Sequence, residues 1–231
     1  MVSGSKDCTL RVWDAASGQC LQTLMWHDHE INCVAVLPDG RVSGSDGNTL
    51  RVWDAAAGQC PQIIQGHKWW INCVAVLPDG RVVSGSNDNT LKVWDAATSR
   101  CLQTLRGHED SIKCVAVLSD GRVVSGSYDC TLRVWDAATG QCLQTLSGHE
   151  DTITCVAVLP DGCVVSCSHN NTLRVWDTET GQCLQTLSGH ESGIKCVAVL
   201  TDSQVVSSSE DKTLRVWDAK MWQCLQTLRG A

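Results

Sequence analysis

Serine, histidine and aspartate recur along this sequence in a fixed order. His108, for example, is followed by Ser125 and then by Asp129. These are the residue types of a nucleophilic triad, in which a base activates a serine hydroxyl. A catalytic triad is needed once, whereas this trio occurs in several stretches, each time followed by the same tryptophan, here Trp135. The recurrence favours a structural role, and we expect no enzyme activity.

Fifteen cysteines raise the question of disulfide bonds or a metal site. Most stand at two recurrent places, before Leu-Gln-Thr-Leu, as Cys142 does, or before Val-Ala-Val, as Cys114 does. No CxxC pair has zinc-site spacing. Cys163 and Cys167 are roughly 13 Å apart along a predicted strand, too far to share one ion. We expect reduced cysteines that pack as small apolar side chains.

Other features of the sequence argue against a bound metal, a nucleic acid and a membrane. The pair His27 and His29 could hold an ion, but only one stretch supplies it, so we predict neither a metal nor a cofactor. The formal net charge is −7, whereas nucleic-acid surfaces are basic. No apolar run approaches the roughly 20 residues that span a membrane. We expect no nucleic-acid or membrane partner and, because no signal peptide precedes the first repeat, a cytoplasmic location.

An internal repeat sets the elements that position these residues. Trp-Asp pairs are spaced by 40 residues once and then by 41 residues four times. A fixed period of this length indicates a repeat architecture. The short interval arises because 41–43 lacks the second valine that is present in 81–84. The six pairs are Trp13–Asp14, Trp53–Asp54, Trp94–Asp95, Trp135–Asp136, Trp176–Asp177 and Trp217–Asp218.

One unit, 107–147, shows the predicted secondary structure. Four short apolar runs are separated by turn signals, which predicts four antiparallel strands in one sheet. Runs that are apolar on both faces are typical of a sheet packed between two others. No helical period is present, so the fold class is all-β. The runs are 112–118, 122–127, 131–136 and 142–146.

The unit with Gly107–His108, Ser125, Asp129 and Trp135–Asp136 resembles the WD-repeat β-propeller family. The resemblance covers essentially the whole chain. It implies blades of four antiparallel strands around a central channel, and in each blade a hydrogen-bonded tetrad of His, Ser, Asp and Trp. The implied tetrads are His67, Ser84, Asp88 and Trp94; His108, Ser125, Asp129 and Trp135; and His190, Ser207, Asp211 and Trp217.

Two units depart from the tetrad at the aspartate position, where one has Gly47 and the other has Asn170. Glycine cannot accept the histidine proton, and asparagine accepts it without a charge. We therefore expect these two blades to be looser. The other tetrad positions are assigned to His27, Ser43 and Trp53 in the first and to His149, Ser166 and Trp176 in the second.

We predict an all-β, six-bladed propeller that is incompletely closed, with five complete blades and one three-stranded blade lacking its innermost strand. A bare strand edge is rarely left in native proteins. A ring with one defective blade, an oligomer that caps the gap, and a fragment of a longer array remain open. A single domain, 1–231, is expected, with a partial unit at 1–24 and units at 25–65, 66–106, 107–147, 148–188 and 189–231.

Positions that vary between units are not required by the blade itself. They concentrate after each tetrad histidine and before each tetrad aspartate, in loops that the resemblance places on the top face. Three tryptophans outside the repeat pattern fall there, and tryptophan often anchors interfaces. We predict a non-catalytic scaffold that binds a protein or peptide. The predicted contact residues are Trp26, His29, Glu30, Lys68, Trp69, Trp70, Glu109, Tyr128, Glu150 and His169.

Two alternatives remain. The chain could assemble as a homodimer through its incomplete blade or its tryptophan patch. The near-identical units also resemble propellers with recently amplified repeats, which include recognition domains of immune-type sensors. A fourth surplus tryptophan, Trp222, lies in a different turn, and we expect it to pack locally.

Overall fold

The computed structural model describes residues 1–25, 28–54, 57, 59–200 and 204–229, with only the main chain at Asp46 and Pro61. This part of the chain contains 23 β-strands and no helix. It forms two compact units, Met1–Gly107 and His108–Ala231. Each unit contains three sheets, so the all-β prediction is confirmed, while the prediction of a single domain remains a prediction.

The first unit begins with a three-stranded sheet, followed by two four-stranded sheets. All strand pairs are antiparallel, and each sheet follows chain order. The sheets are β1 (Val2–Gly4), β2 (Leu10–Trp13) and β3 (Cys20–Leu24); β4 (Val34–Val36), β5 (Val42–Asp46), β6 (Thr49–Asp54) and β7 (Gln59–Gln65); and β8 (Ile71–Val76), β9 (Val82–Ser86), β10 (Thr90–Asp95) and β11 (Arg100–Arg106).

The second unit contains three four-stranded sheets of the same antiparallel order. They are β12 (Ile112–Val117), β13 (Val123–Ser127), β14 (Thr131–Trp135) and β15 (Cys142–Ser147); β16 (Ile153–Val158), β17 (Val164–Ser168), β18 (Leu173–Trp176) and β19 (Cys183–Leu187); and β20 (Ile194–Leu200), β21 (Gln204–Ser209), β22 (Thr213–Asp218) and β23 (Cys224–Arg229).

Short polar turns connect the strands. Between β12 and β13 the Leu118 amide donates to the Arg122 carbonyl at 2.9 Å, and the Gly121 amide donates to the Leu118 carbonyl at 3.0 Å. Gly121 has φ +88°, a conformation that glycine adopts without steric cost. The turn signal between these two strands, which contains Asp120 and Gly121, therefore marks a tight turn that keeps consecutive strands adjacent.

The core lies between neighbouring sheets within each unit. Leu132 and Leu146 of one sheet pack against Ile153 and Trp176 of the next. Because residues an odd number apart in a strand point to opposite sides, every sheet has two apolar faces. We call them the leucine face, which carries residues equivalent to Leu132 and Leu146, and the tryptophan face, which carries the Trp-Asp tryptophan.

The same packing recurs wherever one sheet covers another within a unit. In the second unit Leu173 and Leu187 pack against Ile194 and Trp217. In the first unit the leucine face of the first sheet covers the tryptophan face of the second, and the second sheet covers the third in the same way. The repeat therefore specifies one interface that is used repeatedly.

Candidate functional site

The tetrad residues of unit 107–147 lie within hydrogen-bonding distance of one another. His108 Nδ1 is 2.7 Å from Asp129 Oδ2, and His108 Nε2 is 2.7 Å from Ser125 Oγ. Trp135 Nε1 donates to Ser125 Oγ at 2.8 Å. The other two implied tetrads have the same contacts at 2.7–2.9 Å, in His67, Ser84, Asp88 and Trp94 and in His190, Ser207, Asp211 and Trp217.

The electrostatics of the tetrad favour a charged carboxylate. Burial by itself would raise the pKa of Asp129, but hydrogen bonds from His108, Thr131 and the Glu109 amide hold that pKa well below its usual range. The pKa values of the equivalent aspartates are lowered in the same way. Ser125 is fully buried, so its hydroxyl is not open to a substrate. The arrangement ties the loop after the histidine to the sheet.

Unit 148–188 keeps most of this geometry without the charge. His149 Nε2 is 2.7 Å from Ser166 Oγ, and Trp176 Nε1 donates to the same oxygen at 2.8 Å. Asn170 Oδ1 accepts the hydroxyl of Thr172 at 2.7 Å. Burial and the nearby charge of Arg174 lower the pKa of His149 to about 4. This histidine is therefore neutral at physiological pH.

In unit 25–65 the assignment of Ser43 to the tetrad is wrong. Gly44 pairs with Arg51 across the hairpin, just as Ser84 pairs with Lys92 in the following unit. Glycine therefore occupies the serine position. The Ser43 hydroxyl is buried and has no hydrogen-bond partner among the described residues.

The cause is the position of the missing residue. Asp46 pairs with Thr49, so the hairpin is closed by a two-residue turn of Gly47 and Asn48. The strand keeps its length and the turn is shortened, which leaves Val42 paired with Trp53 in the core. A deletion within the strand would instead have sent every following side chain to the opposite face. His27, assigned to the same tetrad, lies outside the described residues.

In the four repeats from residue 66 onward, the two variable segments are brought together by hydrogen bonds that do not depend on the variable side chains. In unit 66–106 the Ser86 hydroxyl donates to the Trp69 carbonyl, and the Asn87 amide donates to the Trp70 carbonyl, both at 2.9 Å. The second compact unit, His108–Ala231, repeats these contacts. There Ser127 donates to the Asp110 carbonyl, and the Tyr128 amide donates to the Ser111 carbonyl.

The loop after His67 carries two adjacent exposed tryptophans. Trp69 is 64% exposed and Trp70 is 45% exposed. His29 lies beside Trp70, with ring centroids 6.2 Å apart in an edge-on arrangement. These three aromatic rings come from two neighbouring repeats of the same compact unit.

The other predicted contact residues of the first unit lie close to this surface. Lys68 is exposed, and its amide donates to Asp88 Oδ2 at 2.9 Å. Glu30 is half-buried, with a carboxylate oxygen 3.9 Å from Lys6 Nζ. Trp26 lies outside the described residues.

In the second unit the predicted contact residues Glu109, Tyr128, Glu150 and His169 are all exposed. The contact that sequence reasoning missed is that between Lys113 Nζ and the Tyr128 ring, 4.5 Å from its centroid. Both residues vary between units, but their spacing across a hairpin gave no sign of contact.

Sequence reasoning also missed a second contact in the second compact unit. Lys195 forms an ion pair with Glu210, which lowers the pKa of that carboxyl. Both positions vary between repeats. Their contact depends on the hairpin of β20 and β21, which brings the loop after His190 beside the turn before Asp211.

The remaining candidates contribute to packing. Trp222 has φ +54° at a turn position where Gly140 has φ +79°, and its side chain packs against the core of the second unit. The cysteines are free thiols.

Among the described residues no group of three or more His, Cys, Asp or Glu side chains could hold a metal ion. The same residues include no helix long and apolar enough to cross a membrane.

Comparison with known families accounts for almost the whole sequence. The model of the WDR41 β-propeller matches residues 97–228, and that of the WD domain, G-beta repeat, matches residues 1–14, 18–54 and 58–95. The chain belongs to the WD-repeat β-propeller family. Five four-stranded sheets and one three-stranded sheet agree with a six-bladed WD-repeat propeller, and among the described residues no hydrogen-bonded strand pair joins one sheet to another. WD-repeat propellers typically mediate protein interactions and are generally non-catalytic.

The curated relatives match over about one repeat. Nuclear distribution protein PAC1 of Mycosarcoma maydis is 46% identical over 41 residues, which cover 18% of this chain and 9% of that protein. PAC1 proteins of two strains of Cryptococcus neoformans var. neoformans serotype D are 49% identical over 39 residues, 17% of this chain and 9% of theirs. The matched stretch thus spans less than a tenth of each relative.

Proposed function

We propose that this WD-repeat protein is a scaffold that binds a protein or peptide through the aromatic surface formed by His29, Trp69 and Trp70. The observation that carries the proposal is the exposure of two adjacent tryptophans in one loop. Exposure of a large apolar side chain such as tryptophan to water is unfavourable, and exposed apolar patches of this kind are typical of contact sites. The neighbouring Lys68 gives the surface a polar border.

The loop is suited to binding because its main chain is already ordered. The hydrogen bonds from Ser86 and from the Asn87 amide hold the carbonyls of the two tryptophans. A partner then does not have to fix the loop, which reduces the entropic cost of association. Anchoring tryptophans at interfaces often contribute more than about 2 kcal/mol each when truncated.

The exposed acidic residues of the second unit support a second contact region, which we propose binds basic side chains. It includes Glu109 and Glu150, with Tyr128 and His169 beside the same loops. A homodimer through the incomplete blade or the tryptophan patch, a role in an immune-type sensor and a cytoplasmic location stay predictions.

The test is a selection of peptides from a random phage-displayed library on the immobilised chain. Enriched peptides are then titrated against the wild type and the double variant Trp69→Ala/Trp70→Ala, by following tryptophan fluorescence and fluorescence anisotropy of the labelled peptide. We expect at least about a thirtyfold loss of affinity in the double variant, from the roughly 2 kcal/mol of an anchoring tryptophan.

A matched control is Leu102→Ala, which truncates an exposed apolar residue of the same unit on an outer strand. It should bind the enriched peptides as the wild type does. Because both tryptophans are largely exposed, the double variant should keep the melting temperature of the wild type. Equal peptide affinity in all three proteins, or unfolding of the double variant, would contradict the proposal.

A further inference from the structure

Two cysteines of neighbouring sheets lie close together in the second compact unit. Cys155 is on β16, and Cys196 has the equivalent place on β20, the first strand of the next sheet. Their Sγ atoms are 3.6 Å apart, and the Cys155 thiol donates to the Val197 carbonyl, also at 3.6 Å. Since the sulfurs of a disulfide are about 2.05 Å apart, these two need to approach each other by only about 1.5 Å to form one.

Unit 107–147 shows a different position for the equivalent thiol. Cys114 pairs across its hairpin with Gly126, whereas Cys155 pairs with Cys167. A Cβ atom built on Gly126 would lie 2.6 Å from Cys114 Sγ. The Cys114 thiol therefore occupies the space that a side chain at position 126 would fill, and Cys114 is buried.

Cys167 fills the corresponding space in unit 148–188. Its side chain is fully buried, and its sulfur lies 3.3 Å from Thr154 Oγ1. Because two side chains cannot occupy the same volume, the Cys155 thiol does not have the position that the Cys114 thiol takes. It is half-buried and lies against Cys196 of the next sheet instead. The replacement of glycine by cysteine at position 167 thus accounts for the thiol pair.

We propose that Cys155 and Cys196 form a redox-sensitive pair that a small disulfide such as oxidised glutathione converts to a disulfide, and that Cys167 holds the Cys155 thiol in position for this reaction. The thiolate of one cysteine attacks a sulfur of oxidised glutathione, whose S–S bond breaks to release one glutathione thiolate. The thiolate of the other cysteine then attacks the mixed disulfide and releases the second glutathione. The pair loses two electrons and two protons, which both glutathione thiols take up.

The disulfide joins two sheets that the main chain does not pair. Among the described residues no hydrogen-bonded strand pair connects the sheet of β16–β19 to that of β20–β23, and side chains pack between them. A covalent bond between the sheets stabilises the fold by restricting the unfolded chain. The pair is separate from the aromatic surface of His29, Trp69 and Trp70, so the inference does not depend on the proposed function.

The surroundings of the pair slow its reaction without favouring the reduced form. Hydrogen bonding with Cys167 and burial raise the pKa of Cys155 to about 11, and hydrogen bonding with Cys155 raises the pKa of Cys196. The thiolate is the reactive form, so exchange is slow at neutral pH. A lowered thiol pKa stabilises the reduced form of strongly oxidising disulfides, and this pair lacks that stabilisation.

The first experiment identifies the disulfide in the 231-residue chain. The protein is equilibrated near pH 9, where thiolates are more abundant, with mixtures of reduced and oxidised glutathione. Its remaining thiols are alkylated, and it is digested without reduction by trypsin and by a protease that cleaves after Asp and Glu. These cleavages separate Cys155, in 152–161, from Cys167, in 162–174. Mass spectrometry should find 152–161 linked to 196–202, at least about tenfold more abundant than any other pair, because proximity favours this reaction.

Two variants and a matched control test the assigned roles, with circular dichroism as the check of their folds. Cys196→Ser should remove the cross-link. Cys167→Gly restores the glycine found at Gly126, so the Cys155 thiol gains a buried position, and the equilibrium constant for oxidation should fall at least about fivefold. The control is Cys183→Ser, which removes an exposed thiol on an outer strand of the same sheet as Cys155. It should be oxidised as the wild type is.

Thermal unfolding measures the effect on stability. The oxidised wild type should melt at least about 5 °C above the reduced protein, because the disulfide restricts the unfolded chain. A reductant should reverse the change, and Cys196→Ser should not show it. Equal melting temperatures of the oxidised and reduced wild type would contradict the stabilising bond between the sheets.

Three results of the mapping would overturn the inference. One is the absence of a cross-link between Cys155 and Cys196 at the most oxidising glutathione ratio. Another is a cross-link of Cys155 to Cys167 in its place. The third is an equal equilibrium constant in Cys167→Gly and the wild type, which would remove the positioning role of Cys167.

Discussion

Units 107–147 and 148–188 share their fold, and their tetrads differ in one functional group. In both, the histidine lies 2.7 Å from the serine hydroxyl, and the tryptophan donates to that hydroxyl at 2.8 Å. The first has Asp129 beside its histidine, and the second has Asn170. The distances survive the loss of the carboxylate, so the His–Ser and Trp–Ser hydrogen bonds do not require it.

The tetrads of these two units differ in their charge. Asp129 accepts hydrogen bonds from His108, Thr131 and the Glu109 amide, and its pKa is lowered. Asn170 keeps the bond from Thr172, but among the described residues no bond from the Glu150 amide replaces the one that Asp129 accepts. With no carboxylate to oppose burial, the pKa of His149 falls to about 4. One substitution therefore converts a charged tetrad into a neutral one.

The largest expected effect of this difference is on acid stability. Unfolded His149 binds a proton near pH 6.5, whereas folded His149 does so near pH 4. Between these values the unfolded state binds more protons, so the free energy of unfolding decreases as the pH falls, by up to about 3 kcal/mol. In Asn170→Asp the carboxylate should raise the pKa of His149 and remove most of this decrease. Urea unfolding from pH 7 to pH 4 measures it.

The aspartate tetrads provide the internal control for that measurement. Their carboxyl pKa values are lowered in the folded state, so their stabilisation is complete above about pH 5 and is lost progressively as the pH falls below that value. An unchanged free energy of unfolding of the wild type between pH 6.5 and pH 4 would contradict the assignment of a neutral, buried His149.

The reverse substitution, Asp129→Asn, should have a smaller effect at pH 7. It weakens the hydrogen bonds of a charged acceptor with His108 and the Glu109 amide, and we expect the free energy of unfolding to fall by about 1.5–3 kcal/mol. Chemical unfolding at neutral pH measures the change. The control is Asp110→Asn, an exposed residue whose Oδ1 contact with the Ser111 amide asparagine can keep. An equal effect of both substitutions would mean that the carboxylate of Asp129 has no special role.

The smallest effect is expected at Ser43, in unit 25–65, where glycine occupies the serine position of the tetrad. Ser125→Ala removes the acceptor of Trp135 Nε1 and should cost about 1–3 kcal/mol. Ser43→Ala removes a buried hydroxyl that has no hydrogen-bond partner among the described residues, so stability should stay within about 0.5 kcal/mol or rise. Thermal unfolding of the two variants in parallel measures the contrast. A large loss for Ser43→Ala would return Ser43 to the tetrad.

The fold could be predicted from sequence because its evidence is repeated, and the positions of three tetrads followed from the resemblance to WD-repeat propellers. Each Trp-Asp pair, each turn and each histidine is supported by its equivalents in other units. The error at Ser43 came from a single unit in which one residue is missing. Letter-by-letter comparison placed the gap in the strand, whereas the pairing of Val42 with Trp53 places it in the turn. Strand register depends on the hydrophobic face across the whole hairpin, which a local motif does not contain.

The same limit applies to the candidate surfaces. The variable loops and the surplus Trp69 and Trp70 could be recognised by comparing units. Contacts such as that between Lys113 and Tyr128 could not, because the two residues meet across a hairpin. The pKa of His149 also depends on burial, which the sequence of its own unit does not report.

The sequence by itself determined the strands, the turns, the tetrad positions and the two apolar faces of every sheet, because each of these depends on residues within one unit. Tertiary structure alone decided which side chains of neighbouring sheets meet. Cys155 and Cys196 are 41 residues apart in the sequence, yet their Sγ atoms lie 3.6 Å apart. Their contact arises because one sheet packs against the next, and packing between sheets is not encoded within a single repeat.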